Sequence, residues 1–102
     1  MAKAYITEYV GPGVAHGGVI PVANAGSWRE NASSPLAITS GTTSSVAFGT
    51  NTQLVRVNVD ATCSINIGVT VTATANNARM SQGQTEYFTV VPGQVLAVIV
   101  NT

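Results

Sequence analysis

The chain has 102 residues, with four Lys or Arg, four Asp or Glu, and a formal net charge of zero at pH 7. Only 8% of the residues are charged while 45% are hydrophobic, so a core is available and the surface is depleted of charge against the ~25% of ordinary soluble domains. This length sets one domain that buries about two-thirds of its surface. The neutral balance removes the electrostatic case for a nucleic-acid or anionic-membrane partner, and no stretch reaches the ~18 apolar residues of a membrane-spanning helix.

Residues 2–10, AKAYITEYV, form the first strand pattern. Tyr5, Thr7 and Tyr9 share one face, and Ala4, Ile6, Glu8 and Val10 share the other. The start has no apolar core of a secretory signal, so synthesis in a cytoplasm without secretion is expected. Gly11-Pro12-Gly13 breaks the strand and His16-Gly17-Gly18 reads as a turn. Val19-Ile20-Pro21-Val22 suits a short edge strand, since Pro21 lacks a ladder donor. Residues 24–35 form a polar loop around Trp28, the only tryptophan. Ser27 followed three residues later by Glu30 predicts a single helical turn over 27–31. Asn31-Ala32-Ser33 matches the N-glycosylation pattern, a chance match where no secretion signal precedes it. Residues 36–39 predict a short strand, 41–45 (GTTSS) a turn, and 45–48 another short strand.

The C-terminal half carries the strongest pattern. In residues 54–61, Val55, Val57 and Val59 alternate with Arg56, Asn58 and Asp60. In 63–68, Cys63, Ile65 and Ile67 alternate with Ser64 and Asn66. Residues 69–75 (VTVTATA) alternate again, and Asn76-Asn77-Ala78 turns the chain. Arg79-Met80-Ser81 approaches a turn at Gln82-Gly83-Gln84. In 85–91, Tyr87, Thr89 and Val91 lie opposite Phe88 and Val90. Val91-Pro92-Gly93-Gln94 has the type II turn signature and is expected to join two strands into a hairpin. Residues 95–100 are apolar on both faces, which predicts a strand covered on both sides. Seven to nine short strands without a helix indicate an all-β chain, a small β-sandwich or jelly-roll-like barrel. The expected core is Val55, Val57, Val59, Ile65, Ile67, Phe88, Val90, Leu96 and Val98. No composition shift marks a linker, so residues 1–102 read as one domain.

The inventory for chemistry is thin: one His, one Cys and four carboxylates. Cys63 paired with His16 is the only thiol-nucleophile arrangement to weigh, and Cys63 points into the expected core. A single cysteine also excludes an intrachain disulfide. No cluster has metal-ligand spacing, and no glycine-rich segment has the phosphate-binding pattern. Glu8, Glu30, Asp60 and Glu86 fall on different elements, which suits solvated or interface charges better than paired acid–base work. The expectation is therefore no enzyme and no cofactor. Lys3, Arg29, Arg56 and Arg79 form no stripe, which again disfavours nucleic acid.

The segment ATCSINIGVTVTATANNARMSQGQTEYFTVVPGQVLAVI, residues 61–99, resembles a group of small proteins encoded near the capsid genes of tailed bacteriophages. The likeness is carried by Cys63, Ile65, Ile67 and Gly68, a Thr/Ala-rich crossing over 69–77, Glu86-Tyr87-Phe88, and Pro92-Gly93 followed by Val95, Ala97, Val98 and Ile99. It implies a structural virion protein, a cement or decoration protein on the capsid exterior that binds the major capsid protein. Such proteins commonly act as symmetric oligomers, so a homodimer or homotrimer is expected. The residue types favoured at interfaces nominate Tyr5, Tyr9, Trp28, Arg29 and Arg79, with residues 1–10 as an interface-forming strand. An alternative, resting on Trp28 with Tyr5 and Tyr9, is a carbohydrate-binding or fibre-associated β-sandwich module.

Overall fold

Alternating apolar residues drive the chain into strands, and those strands pack as two antiparallel sheets. The structure, a computed structural model, describes residues 2–9, 13–15, 18–20 and 28–101, with 13–15, 18–20 and Trp28 described by backbone alone. The strands in chain order are β1 (Lys3–Tyr9), β2 (Gly13–Ala15), β3 (Gly18–Ile20), β4 (Trp28–Glu30), β5 (Leu36–Ala37), β6 (Thr43–Ser44), β7 (Leu54–Val59), β8 (Cys63–Gly68), β9 (Ala78–Met80), β10 (Thr85–Thr89) and β11 (Val95–Val100). One five-stranded sheet has the order β10-β7-β1-β4, with β5 also on β1. A four-stranded sheet has the order β6-β11-β8-β9, and β2 pairs with β3 as a separate ribbon. The nine strands of the two sheets form a β-sandwich, as the alternation predicts, and not a closed barrel.

From β5 onward the chain changes sheet at nearly every connection; only β8 to β9 stays within one sheet. This interleaving places the period-2 valines of β7 opposite the inward residues of β8 and β11. Val55, Val57, Val59, Cys63, Leu96 and Val98 are fully buried in one cluster with Ala4, Ile6, Phe48, Ile65, Met80 and Val90. Ile67 and Phe88 pack against it from partly buried positions, so the expected core residues all join one core.

The 91–94 segment is a turn of the expected type. Gln94 N–H donates to the Val91 carbonyl at 3.2 Å, and Gly93 sits at φ 89°, where a side chain would strain the backbone. It does not close a hairpin, because β10 and β11 belong to opposite sheets. A type II turn splays its flanking strands instead of matching their twist, which suits a crossing between sheets.

Several local expectations are corrected. Residues 69–75 form no strand. They cross the outer face of the four-stranded sheet, tied by Ala73 N–H to Thr42 Oγ1 at 2.9 Å and by Asn66 Nδ2 to the Thr72 carbonyl at 3.1 Å. Ala73 of this crossing and Ala97 of β11 are both buried, so β11 is covered on both sides along its middle. Residues 45–48 form no regular strand: Ser45 and Phe48 N–H still donate to the Leu96 and Gln94 carbonyls, but Val46 turns its main chain to the Ser33 and Asn31 side chains. The 41–45 segment contains strand β6. The helical turn over 27–31 is replaced by β4, whose Glu30 carboxylate bonds the Thr7 and Ser34 hydroxyls across the sheet and not the backbone of its own turn. Met80 is buried on β9, where the sequence suggests only an approach to a turn. Gly11-Pro12, His16-Gly17, Pro21-Val22 and Ser27 lie outside the described residues.

Candidate interaction face

Register places the aromatic residues. β1 pairs with β7 so that Tyr5, Thr7 and Tyr9 stand opposite Asn58, Arg56 and Leu54. β7 pairs with β10 so that Asn58, Arg56 and Leu54 stand opposite Thr85, Tyr87 and Thr89. Side chains on opposed residues share a face, so rows run across the sheet: Tyr5–Asn58–Thr85, then Thr7–Arg56–Tyr87, then Tyr9–Leu54–Thr89. All three tyrosines of the chain therefore lie on the outer face of one sheet. β4 extends two rows, with Glu30 opposite Thr7 and Trp28 opposite Tyr9.

The members of this face differ in access. Tyr5 and Tyr87 are 40% and 43% exposed, and Glu30 is exposed. Arg56 is half-buried and has no ion-pair partner among the described residues. Tyr9 is only 6% exposed, which removes it from the expected contact set. Burial pushes its hydroxyl above the ordinary value, with Tyr87 and Glu30 adding to the rise and Arg56 opposing it.

The N-terminal strand is not a free arm. β1 is paired along both edges, by β7 on one side and by β4 and β5 on the other. On its outer face Tyr5 is exposed, whereas Thr7 and Tyr9 are buried. Arg29, expected at an interface, turns to the opposite face and pairs with Glu8 of the same chain at 3.2 Å. Arg79 is exposed on the edge strand β9, away from the tyrosines. The Trp28 side chain lies outside the described residues, as does His16.

Behind the face lies a polar site that sequence reasoning missed. Glu8 shares parity with Ala4 and Ile6, so its strand carries it into the interior, where it is 1% exposed. Its expected role as a solvated or interface charge is overturned. Oε1 accepts from Gly49 N–H at 2.8 Å and from Thr52 Oγ1 at 2.6 Å, and Oε2 accepts from Asn31 Nδ2 at 2.9 Å. Arg29 adds longer bonds from Nε and Nη2 at 3.2 to 3.3 Å. Gly49 sits close to these partners: a Cβ there would stand 3.0 Å from Arg29 Nη2 and 3.2 Å from Thr52 Oγ1, so a larger residue would push the Arg29 and Thr52 side chains aside. Desolvation is the largest single influence and pushes the Glu8 carboxyl up. The bonds from Gly49, Thr52 and Asn31, with the Arg29 charge, outweigh it and leave the group below the ordinary carboxylate value. An ionised carboxylate held by this many donors is committed to the fold. The site is a clasp joining β1, β4 and the 49–52 loop.

Chemistry elsewhere is equally closed. Cys63 is fully buried, and burial pushes its thiol up to about 11. Among the described residues no group of three His, Cys, Asp or Glu gathers as a metal site. An open cleft of about 220 Å³ lies between the sheets where β9 begins, lined by Ile65, Asn66, Ile67, Asn77, Ala78 and Phe88. No titratable group lines it. No protein-family model, curated protein or solved structure matches the chain.

Proposed function

We propose that this chain is a structural protein of a tailed-phage particle, a cement or decoration protein that seats the outer face of its five-stranded sheet on the major capsid protein. The observation that carries the reading is the gathering of the exposed Tyr5 and Tyr87 with Arg56 on one sheet face, in a chain only 8% charged. Tyr and Arg are the residue types that dominate interface energetics, and low charge suits a surface that stays covered. The likeness of residues 61–99 to capsid-associated phage proteins points the same way. A repeating shell multiplies modest contacts through simultaneous engagement, so a small face suffices.

The test adds purified protein to particles lacking it and measures occupancy and the temperature of shell rupture. Wild type should occupy the shell and raise that temperature, and a folded Tyr5→Ala, Arg56→Ala variant should do neither. Wild type that leaves the shell bare overturns the reading. The exposure of Tyr5 and Tyr87 also favours a second reading, stacking on sugar rings. Glycan-array binding lost on Tyr5→Ala, without particle binding, would establish it instead.

A further inference from the structure

The edges of the sandwich are not alike. β4, β6 and β9 are two or three residues long, and β5 is two. Short edge strands protect a sheet from pairing with a neighbour. β10 is the exception, with five residues, no Lys and no Pro, and no strand on its outer edge among the described residues.

Hydrogen bonds fix which of its main-chain groups face that edge. The Gln84 carbonyl accepts from Val59 N–H at 3.2 Å, and Val90 N–H donates to the Gln53 carbonyl at 3.0 Å. Main-chain direction alternates along a strand, so residues 84, 86, 88 and 90 face β7. The N–H and C=O groups of Thr85, Tyr87 and Thr89 therefore point away from the sheet, with no strand paired to them among the described residues. Groups of this kind call for another extended polypeptide strand, not a small molecule or a sugar.

We propose that the occupant is a second copy of this chain, with β10 pairing to β10 antiparallel about a two-fold axis at Tyr87. The strand reads Thr-Glu-Tyr-Phe-Thr, with threonines placed symmetrically about the tyrosine. In this register Tyr87 stands opposite the partner's Tyr87, and Thr85 opposite the partner's Thr89. All are outward-facing residues, so each pair exchanges both main-chain bonds. Aromatic–aromatic and Thr–Thr are favourable cross-strand pairs. Glu86 then faces the partner's Phe88, with its carboxylate held by Gln84 Nε2 at 2.6 Å. A two-residue slip the other way sets the two Glu86 side chains face to face, which disfavours it. The pairing fuses two five-stranded sheets into one and brings both copies of Tyr5, Arg56 and Tyr87 onto a single continuous face. It stands apart from the cement reading: a chain that binds no capsid still has this edge.

The test combines sedimentation with amide exchange followed by NMR, at micromolar and millimolar protein. The dimer should form, and the amides of Thr85, Tyr87 and Thr89 should gain protection in step with it. Those of Glu86 and Phe88 face β7 and should be protected at every concentration. Tyr87→Pro removes an N–H that serves no intrachain ladder, so it should give a folded monomer; if it unfolds, Thr89→Pro makes the same test. Glu86→Gln relieves diagonal repulsion between the two carboxylates and should tighten the dimer about twofold to fivefold. A monomer at millimolar concentration overturns the proposal. So does a dimer whose Thr85, Tyr87 and Thr89 amides exchange freely, that survives the proline variants, or that Glu86→Gln leaves unmoved.

Discussion

Asn31 Nδ2 donates to Glu8 Oε2 at 2.9 Å, and both residues are 1% exposed. This one bond ties the central strand to the loop after β4. A buried amide and a buried carboxylate satisfy each other, and Asn31 also holds the Val46 carbonyl at 3.2 Å. Removing the acceptor would strand Asn31, Thr52 and Gly49 donors in the interior. Glu8→Ala is expected to cost about 2–4 kcal/mol of stability in denaturant unfolding. Arg29→Ala should cost about 1 kcal/mol or less, since its side chain is 55% exposed and its bonds are the long ones. Equal losses for the two variants would show that the ion pair, not the neutral donors, holds the clasp.

The same site sets a limb of the acid response. The Glu8 carboxyl lies below 4.5, its ordinary value, because its hydrogen bonds outweigh desolvation. The unfolded chain therefore takes up this proton at higher pH than the native one does. Its contribution to stability is fully present above that ordinary value and is lost as pH falls through the lower native value. Unfolding midpoints followed from neutral pH downward should fall in that window. Glu8→Gln should flatten the fall, and an unchanged slope in that variant would place the acid sensitivity elsewhere.

Cys63 responds at the other end of the pH scale. Burial raises its thiol from 9.0 to about 11, so the unfolded chain loses this proton first as pH rises. Stability from this group is present below pH 9 and declines between the two values. Thiol reagents at pH 8 should label the native protein slowly and the denatured protein fast. Cys63→Ala should remove the alkaline decline at the cost of a small cavity. Fast stoichiometric labelling without denaturant would place the thiol outside the core.

How much of this was legible follows from which link each feature depends on. The alternation in β7 needs no partner to be read: Val55, Val57 and Val59 are apolar at period 2, and all are buried. Residues 69–75 carry the same alternation, yet Val69 is 72% exposed and no ladder forms. Periodicity reports a preference for extended backbone, and only a neighbouring strand turns that into a sheet. The Pro92-Gly93 turn was visible for the same local reason, but which sheets it joins was not. Parity placed Glu8 with Ala4 and Ile6, which was a usable signal for burial. Its donors come from residues 21 to 44 positions away, so no local pattern could reveal that the charge is satisfied. The tyrosine face was half-legible: Tyr5 and Tyr9 share parity, whereas Tyr87 and Arg56 join them only through the β1–β7–β10 register.

Tyr5 and Tyr9 separate the roles of packing and contact within one strand. They sit on the same face, two residues from Thr7 between them, but differ from 40% to 6% in exposure. Tyr9 lies where β4 pairs with β1 on one side and β7 on the other, and Tyr5 lies opposite Asn58 of β7. Tyr9→Ala removes a buried ring and should lower stability by about 3 kcal/mol or more in chemical unfolding. Tyr5→Ala removes a ring that is largely solvated and should shift stability by less than about 0.5 kcal/mol. Binding should reverse the order. If the outer face meets the capsid, Tyr5→Ala should weaken occupancy of particles while its circular dichroism and unfolding midpoint stay those of wild type. Tyr9→Ala should lose binding only in proportion to its loss of folded protein. A Tyr5→Ala variant with full occupancy and unchanged shell rupture temperature would move the contact off this face, whatever the behaviour of Tyr9.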